Sequence, residues 1–477
     1  MITLKILLTI PIIGTALILI LPKVLSRKIA MITSIFTLIG TIIIWMGLDW
    51  SIPNFQYLET YKIFNQSIIL GIDGIAINFI VLTAIIIPIC VLASWDYIKY
   101  LEKQYYACII IIEIILIGVF SILDILGFYV LYEAVLIPMF LIIGIWGARK
   151  EKITAAYYFF FYTLVGSIIM LLSIVYLYTI AGTTDYMTLL NTYIPEDSQK
   201  WIFLGLFASF AVKIPKFPFH IWLPLAHVEA PLAGSVLLAG ILIKLGSYGF
   251  IRYGLPLLPD ACEYFSPLVN TLAVISIIFA SLTTIRQTDL KRIIAYSSVG
   301  HMGVVMLGIF SLTAIGIEGS IFLQIAHGVV SSALFIIVTL LYERHHTRIV
   351  KYYRGITITM PIYSIIFLYF TLANIGVPLS CNFIGEFMSL LGIYQKNIII
   401  GILGGSGMIL SACYALYLYN RVSFGTMSPY IKDSINNRDI TRKELYVLLP
   451  LILLTLILGV YPEYVLQTLH ASVINIL

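Results

Sequence analysis

The sequence predicts an all-α polytopic membrane protein with about fourteen transmembrane helices. Of its 477 residues, 61% are hydrophobic and only 11% are charged, and the mean hydropathy is +1.03. Soluble domains carry about a quarter charged residues, whereas the apolar runs here extend for roughly twenty residues, the length that crosses a bilayer as a helix. The alternating patterns of about ten residues that are typical of membrane barrels are absent.

Hydropathy and turn-forming residues place the predicted helices along the chain, and we number them as spans 1 to 14. Their predicted ranges are 2–21, 29–48, 75–95, 105–122, 125–146, 155–180, 201–226, 232–251, 265–285, 293–310, 315–341, 357–394, 399–420 and 445–468. The first range lacks a small-residue cleavage site, so we expect a membrane span there and not a removed signal. Two spans are expected to be broken: span 7 by Pro215 and Pro218, and span 12 by Gly376 and Pro378.

The two broken spans predict an internal repeat. Five spans separate them, so the corresponding elements run in opposite directions across the membrane. Broken helices at matching places of inverted repeats mark the transport site in many carriers. We therefore predict N-terminal helices over 1–104, a first five-helix repeat over 105–252, a second, inverted repeat over 253–424, and a C-terminal loop and helix over 425–477.

The distribution of positive charge predicts the orientation. Twenty of the 28 Lys and Arg residues fall in the loops after odd-numbered spans, and five fall on the other side, Arg252 among them. Loops rich in Lys and Arg stay on the inner side of a membrane. Both termini are therefore predicted to face the outer, positive compartment.

Several classes of function are disfavoured by composition and motifs. The net charge of +5 is small for this length, and no basic stripe interleaved with aromatic residues predicts nucleic-acid binding. The five cysteines are scattered without ligand-like spacing, so neither a disulfide framework nor a cysteine-held metal is expected. Neither a P-loop nor a dinucleotide fingerprint is present, so we expect no use of ATP and no NAD site in this chain.

Ionisable side chains lie deep inside the predicted spans. Lys213 follows twelve apolar or small residues that begin at Trp201, which places it roughly 18 Å into a hydrocarbon core about 30 Å thick. Mid-span positions are also predicted for Glu113, Glu133, Lys244, His301 and His327. Glu386 lies in the second half of broken span 12, eight residues past Pro378. Charges at this depth are costly unless they are paired or hydrated, and they commonly mark ion or proton pathways.

Less specific interpretations apply to some of these residues. A lysine stem does not reach across half a bilayer, so Lys213 and Lys244 are not expected to extend to the surface. A locally hydrogen-bonded or neutral carboxyl remains open for Glu113, and a satisfied interior imidazole remains open for either histidine alone. Taken together, the set favours proton transfer: Glu133 and Lys213 are expected to form a pair that switches between closed and open states, and histidines and hydrated serines pass the proton on.

The segment FAVKIPKFPFHIWLPLAHVEAP, residues 210–231, combines helix breakers with charge. Its ionisable residues are Lys213, Lys216, His220, His227 and Glu229. Pro215 and Pro218 cannot donate backbone hydrogen bonds, which frees carbonyls near positions 211 and 214. Such a break survives in a membrane only where it is buried or wet. We therefore predict a helix that opens at mid-membrane beside Lys213, and a plain proline kink is the alternative.

Four long segments resemble the antiporter-like membrane subunits of respiratory complex I. They are KIPKFPFHIWLPLAHVEAP (213–231), LAGILIKLGSYG (238–249), RQTDLKRIIAYSSVGHMG (286–303) and NIGVPLSCNFIGEF (374–387). The resemblance covers essentially the whole chain and implies proton transfer by Glu133, Lys213, Lys244, His301, His327 and Glu386. The family places the two histidines along a central hydrated axis. The implied order is Lys213, Lys244, His301 and His327, with release near Glu386.

The resemblance also implies the setting in which the chain works. It would translocate protons across the mitochondrial inner membrane, with both termini on the intermembrane-space side, while electrons pass from NADH to ubiquinone in other subunits. NAD, FMN, iron–sulfur clusters and ubiquinone would then belong to the parent complex, and this chain would bind none of them. Expected partners are other membrane-arm subunits, especially the neighbouring antiporter-like ones, and membrane lipids.

Two other functions remain open at this point. One is an Mrp-type cation/proton antiporter subunit, because that family shares parts of the motifs. The other is a membrane oxidoreductase in which His301 and His327 ligate a haem, as facing imidazoles can do. The second alternative leaves the buried lysines unexplained.

Overall fold

The structure, a computed structural model, describes residues 3–63, 66–432 and 438–477. The elements of the first part are α1 (Leu4–Ile20), α2 (Lys23–Gly47), β1 (Gln56–Ile63), β2 (Gln66–Ile72), α3 (Gly74–Ala93), α4 (Glu102–Ser121), α5 (Ile125–Ala134), α6 (Leu136–Trp146), α7 (Lys152–Ala181), α8 (Tyr186–Leu189), α9 (Glu196–Lys213) and α10 (Trp222–Glu229). Those of the second part are α11 (Leu232–Leu237), a π-helical turn (Leu238–Leu242), α12 (Lys244–Gly249), a second π-helical turn (Phe250–Gly254), α13 (Leu255–Leu257), α14 (Pro259–Arg286), α15 (Leu290–Ile309), α16 (Ala314–His345), 3-10 turns (Val350–Tyr352 and Ile356–Ile358), α17 (Pro361–Ile375), α18 (Cys381–Lys396), α19 (Ile398–Ser423), α20 (Pro429–Lys432), α21 (Arg442–Val460) and α22 (Glu463–Ile474).

Most of the long helices can cross a membrane. Within the described ranges, 11 helical segments are long and apolar enough for this by length and composition, and the shorter helices α1 and α17 are also apolar. Helices occupy the positions of all the predicted spans, so the predicted all-α polytopic class is confirmed. The number of crossings and the inverted repeat stay predictions.

Both expected helix breaks are present. Span 7 is divided into α9 and α10 by residues 214–221, and span 12 into α17 and α18 by residues 376–380. The second break begins at Gly376, whose φ of 80° lies in the left-handed region. Glycine adopts this conformation without the Cβ clash of other residues, which is why a helix commonly ends there.

Two elements differ from the prediction. The range 445–468 is not one helix: α21 ends at Val460 and α22 begins at Glu463, because Pro462 lacks the N–H that a continuing helix requires. The antiparallel pair β1–β2, with Tyr61 opposite Ile68, was not predicted. Its strands are rich in aromatic and β-branched residues, which favour extended structure.

We call the end of the bundle that carries this hairpin the hairpin face. Three connections meet there: Leu70 of β2 bridges to Ile122 after α4, Asp124 bridges to Asp185 after α7, and the backbone N–H of Lys5 donates to Glu59 at 3.0 Å. The hairpin thus ties the start of α1 to the α4–α5 and α7–α8 connections.

Two spans are enclosed by the rest of the bundle. The most apolar windows of 232–257, which comprises α11 to α13, and of α16 are 100% buried, compared with 33% for α7 and α19 and 28% for α21. The outer helices expose large apolar side chains such as Ile20 and Ile409, as expected of surfaces that face lipid tails. Polar residues on the enclosed spans are therefore remote from the lipid.

Glycines allow α16 and α18 to approach closely. A Cβ on Gly385 would lie 2.6 Å from the Leu323 Cα, and one on Gly319 would lie 2.6 Å from the Ser389 backbone nitrogen. Small residues at such crossings bring helix backbones together in membrane proteins. The close crossing places Glu386, the residue after Gly385, against the enclosed core.

Candidate functional site

The break in span 7 is an opened helix whose carbonyls are bonded by protein groups. Lys216 donates its backbone N–H to the Ala211 carbonyl at 2.9 Å, and the Trp222 indole N–H donates to the Val212 carbonyl at 2.9 Å. The Ala211 carbonyl is one of the two that the prolines are predicted to leave without a helical hydrogen bond. The first part of the break, residues 214–216, is buried, and the carbonyls of Ala211 and Val212 are bonded within the protein, as a break inside a membrane requires.

Lys213 lies at the last position of α9 and is buried. Its Nζ donates to the Tyr132 backbone carbonyl at 2.9 Å and lies 3.7 Å from the centre of the Tyr132 ring. The adjacent Glu133 has a buried Oε1 without a hydrogen-bond partner in the described part of the chain. In this conformation the ammonium is held by Tyr132 and not by the predicted carboxylate.

Lys244 begins the short helix α12 between the two π-helical turns, on one of the enclosed spans. Its Nζ donates to the carbonyl of Ala239, five residues earlier. The same Nζ lies 3.2 Å from Nδ1 of His327 on α16. Single π-helical turns occur preferentially at functional sites, and here they flank the buried lysine.

The contacts continue from His327 to Glu386. The rings of His327 and His301 are 5.4 Å apart between centroids, at an angle of 51°. His301 Nδ1 lies 2.8 Å from Glu386 Oε1. Lys244, His327, His301 and Glu386 therefore form a buried row, which we call the Lys244–Glu386 row.

A small cavity of about 20 Å³ adjoins the end of this row, lined by both His301 and Glu386 and by Ser281, Ser411 and Tyr414. A cavity of this size holds about one water molecule. Polar side chains with a single water between them can exchange protons through it.

The spatial order of the histidines differs from the implied one. His327 contacts Lys244 and His301 contacts Glu386, so the row runs Lys244, His327, His301, Glu386. The reason is the packing of the helices: α16, which carries His327, packs against the first π-helical turn beside Lys244, whereas α15, which carries His301, packs against α18 with Glu386. Among the described residues, no hydrogen bond joins Lys213 to this row.

The other ionisable residues of the 210–231 segment are also buried. Lys216 Nζ, His220 Nδ1 and both ring nitrogens of His227 lack partners among the described residues. The His227 ring stacks on Phe335 at 4.5 Å. The sequence predicts no proton-transfer step for these groups. Among the described residues, none of them makes a hydrogen bond to the row.

Three basic residues that the sequence placed in loops are buried: Arg252, Lys291 and Arg348 are 2%, 3% and 1% exposed. Lys291 lies in the first turn of α15, and its Nζ donates to the Ala230 carbonyl at 3.0 Å. Asp289 caps this helix, and an Asp directly before a helical stretch is a sequence signal that indicates this start.

Arg348 lies at the C-terminal end of the 210–231 segment. Its guanidinium lies 3.7 Å from both Glu229 Oε1 and Asp289 Oδ2 and donates to the Val228 carbonyl. Burial lowers the pKa of Arg348, and the carboxylates of Asp289 and Glu229 oppose that shift. The contacts fix the end of α10 to the α14–α15 connection.

Glu113 lies apart from the row. It is buried on α4 and its Oε1 lies 2.5 Å from the Thr37 hydroxyl on α2. The structure thus agrees with the local hydrogen bond that remained open for this residue.

The haem alternative does not fit this geometry. The cavity beside His301 measures about 20 Å³, which is far too small for a macrocycle. Within the described ranges, no group of three or more His, Cys, Asp or Glu side chains is arranged to hold a metal ion.

Comparison with known proteins identifies the family. The profile described as NADH:quinone oxidoreductase/Mrp antiporter, transmembrane, matches residues 123–411. The chain belongs to this family. The match contains all six residues predicted to transfer protons, so the resemblance inferred from the motifs is confirmed.

Eukaryotic relatives from the antiporter family match over nearly their full length. NADH-ubiquinone oxidoreductase chain 4 of Metridium senile is 53% identical over 462 residues, covering 94% of this chain and 92% of that protein. The chain 4 proteins of Marchantia polymorpha and Arabidopsis thaliana are 50% and 47% identical, each covering 98% of this chain and 96% and 95% of theirs.

Solved structures of antiporter-family proteins share the fold. A chain of respiratory complex I from Thermus thermophilus superposes with a TM-score of 0.88 at 28% identity, covering 99% of both chains. A chain of the Mrp complex from Dietzia sp. superposes with a TM-score of 0.87 at 16% identity, covering 98% of this chain and 97% of that one. The second likeness concerns the fold alone.

Proposed function

We propose that this chain is the chain 4 type of antiporter-like subunit of respiratory complex I and that it translocates protons across the mitochondrial inner membrane. Electron transfer from NADH to ubiquinone in other subunits drives the movement. The single observation that carries the proposal is the contiguous row from Lys244 to Glu386, because it joins four groups that exchange protons inside two enclosed spans and their neighbours.

The row provides a path along which a proton moves by short transfers. The Lys244 ammonium releases a proton across 3.2 Å to His327, the two imidazoles exchange it over their 5.4 Å separation through a rotation or one water, and Glu386 accepts it from His301 at 2.8 Å. Histidine is suited to both steps because it takes up and releases protons near neutral pH. General acid–base transfer needs this hydrogen-bond geometry.

The Glu133 and Lys213 pair controls the other half of the pathway in this proposal. Tyr132 holds the Lys213 ammonium through its carbonyl and its ring in the present conformation. A shift toward the adjacent Glu133 closes the pair and stabilises the charged forms, and reopening it favours release of the lysine proton. In the two predicted repeats, the span of Glu133 corresponds to that of His301, and the span of Lys213 corresponds to that of Glu386. The acidic and the basic residue therefore exchange places between the repeats.

The remaining roles follow from this assignment. NAD, FMN, iron–sulfur clusters and ubiquinone reside in other subunits, and the neighbouring antiporter-like subunits and lipids contact this chain. Protons enter from the matrix side and leave near Glu386, and both termini face the intermembrane space. The Mrp-type alternative shares the fold, but the near-full-length relatives at 47–53% identity named above are complex I proteins.

The test uses Glu133→Gln and Lys213→Ala in the assembled complex. We expect NADH-driven proton pumping and coupled quinone reduction to fall while the complex assembles in normal amount. Lys200→Ala is the matched control, because Lys200 lies on the same helix at the membrane surface and pairs with Asp197 at 3.3 Å. Normal pumping by the assembled Glu133→Gln complex contradicts the switch, and sodium/proton exchange by the chain without its complex favours the Mrp-type function.

A further inference from the structure

A buried ion pair lies at the end of the enclosed π-helical span. Arg252 Nη2 lies 2.5 Å from Asp73 Oδ1, with side chains 2% and 4% exposed. Arg252 belongs to the second π-helical turn, and Asp73 directly follows β2 and caps α3 through the Ala76 N–H at 2.9 Å. The pair therefore sits where the enclosed span meets the hairpin face.

Aromatic rings surround the guanidinium. Its central carbon lies 4.9 Å from the Phe55 ring, 5.5 Å from the Tyr248 ring and 5.9 Å from the Tyr186 ring. The Arg252 Nε donates to the Tyr248 hydroxyl at 3.2 Å. That hydroxyl donates in turn to the Phe120 carbonyl at 3.0 Å, so the cage is fixed to the end of α4.

Polar side chains lead from Lys244 toward this cage. Lys244, Tyr248 and Arg252 recur every four residues on one span, and residues at this spacing share a helix face. Beside them, the Ser247 hydroxyl donates to Gln324 of α16 at 2.5 Å. Arg252 lies about 12 Å along the axis from Lys244, at 1.5 Å per residue. Polar side chains therefore occur at each turn between Lys244 and the ion pair, as a second route for protons from Lys244 to the hairpin face would require.

Arginine blocks proton transfer along such a route because of its chemistry. Lysine, histidine and glutamate give up and take back protons, whereas the guanidinium keeps its protons in proteins. The partner carboxylate cancels its charge, so the obstruction comes from the non-transferable protons and from the rings that fill the space around them.

We propose that the Asp73–Arg252 pair and its aromatic cage form a proton seal that closes Lys244 to the hairpin face and directs its proton sideways to His327. This inference rests on the proposed function, since it assigns Lys244 a proton to lose. Arg252 and Asp73 act here as positioning and specificity-determining residues and transfer no proton themselves.

The seal is tested by passive proton leak through the whole complex in liposomes, without NADH, after a pH difference is imposed. The double variant Asp73→Asn/Arg252→Met removes both charges, and asparagine keeps the cap on α3. We expect its proton conductance to rise about tenfold, which corresponds to a barrier lower by about 1.4 kcal/mol. Adding Lys244→Met to this variant should return the conductance to that of the unaltered complex.

A second variant keeps the proposal testable if the Asp73→Asn/Arg252→Met complex does not fold. Arg252→Lys keeps the ion pair but introduces a proton that can be transferred, so we expect a measurable leak from it, whereas a purely structural pair would stay tight. Asp124→Asn is the matched control, because Asp124 caps α5 on the same face and accepts from the Thr184 hydroxyl at 2.6 Å. Leak as low as in the unaltered complex in both Arg252 variants, or leak that persists with Lys244→Met, overturns the proposal.

NADH-driven pumping, measured in the same liposomes, distinguishes failure of the seal from failure of the proposed function. Lys244→Met alone should abolish NADH-driven pumping through this chain if the proposed function is correct. Normal pumping in Lys244→Met refutes the proposed function, and tight Arg252 variants together with lost pumping in Lys244→Met refute the seal alone.

Discussion

Replacing Glu386 by glutamine changes one buried carboxylate oxygen into an amide nitrogen of nearly the same size. The carboxylate lies 2.8 Å from His301 Nδ1 and is 2% exposed. Glutamine fills the same space, so the crossing of α16 and α18 should be retained. The variant removes the charge and the proton-accepting group and leaves the fold in place.

The expected loss follows from the contact that is removed. Hydrogen bonds to charged groups contribute about 1.5–3 kcal/mol. If that stabilisation is lost from the barrier for transfer out of His301, the step slows about 10- to 150-fold. Because quinone reduction is coupled to pumping in the proposed function, both rates should fall together.

The assay measures NADH-driven proton pumping and ubiquinone reduction in membranes with equal amounts of assembled complex. Glu113→Gln is the matched control: Glu113 is also a buried carboxyl with one side-chain partner, Thr37, but it lies outside the row, so both rates should stay within about twofold. Rates within about twofold of the unaltered complex for Glu386→Gln itself would show that the row does not carry the pumped proton.

Two further substitutions test the framework around the row. Gly385→Ala should destabilise the complex by about 1–3 kcal/mol, because the added Cβ would lie 2.6 Å from the α16 backbone. The loss would be measured as a lower thermal unfolding temperature. Gly405→Ala is the control, since a Cβ there would have no atom within 4 Å. Trp222→Phe should leave the buried Val212 carbonyl without its donor and cost about 1–3 kcal/mol, whereas Trp201→Phe, at a site 70% exposed, should leave the unfolding temperature unchanged.

Much of the fold is predictable because the membrane limits what the chain can do. Every backbone polar group must be bonded within the protein, so apolar runs of sufficient length become helices. Glycine and proline at 376 and 378, and prolines at 215 and 218, then indicate where helices break. The β1–β2 hairpin escaped prediction because it lies between spans, where hydropathy carries little information.

The candidate site was less accessible to sequence reasoning, since its contacts join distant helices. Depth along a span identifies Lys244 and His327 as interior residues, but it does not reveal which histidine contacts the lysine across 83 positions of sequence. Arg252 follows the apolar run of its span, so its position in the sequence indicates a loop charge. Its partner Asp73 lies 179 residues earlier, and no local pattern indicates that pairing.

The complete enclosure of 232–257 and α16 makes the rate of proton conduction depend less on the bilayer than the stability of the complex does. The composition and thickness of the bilayer act on the outer helices, and so on assembly and unfolding temperature. Lys244 and His327 are buried within this chain, so their local dielectric environment is set mainly by the protein. Transferring the complex between detergents or lipids should therefore alter how long it survives more than how fast each surviving molecule conducts a proton along the row.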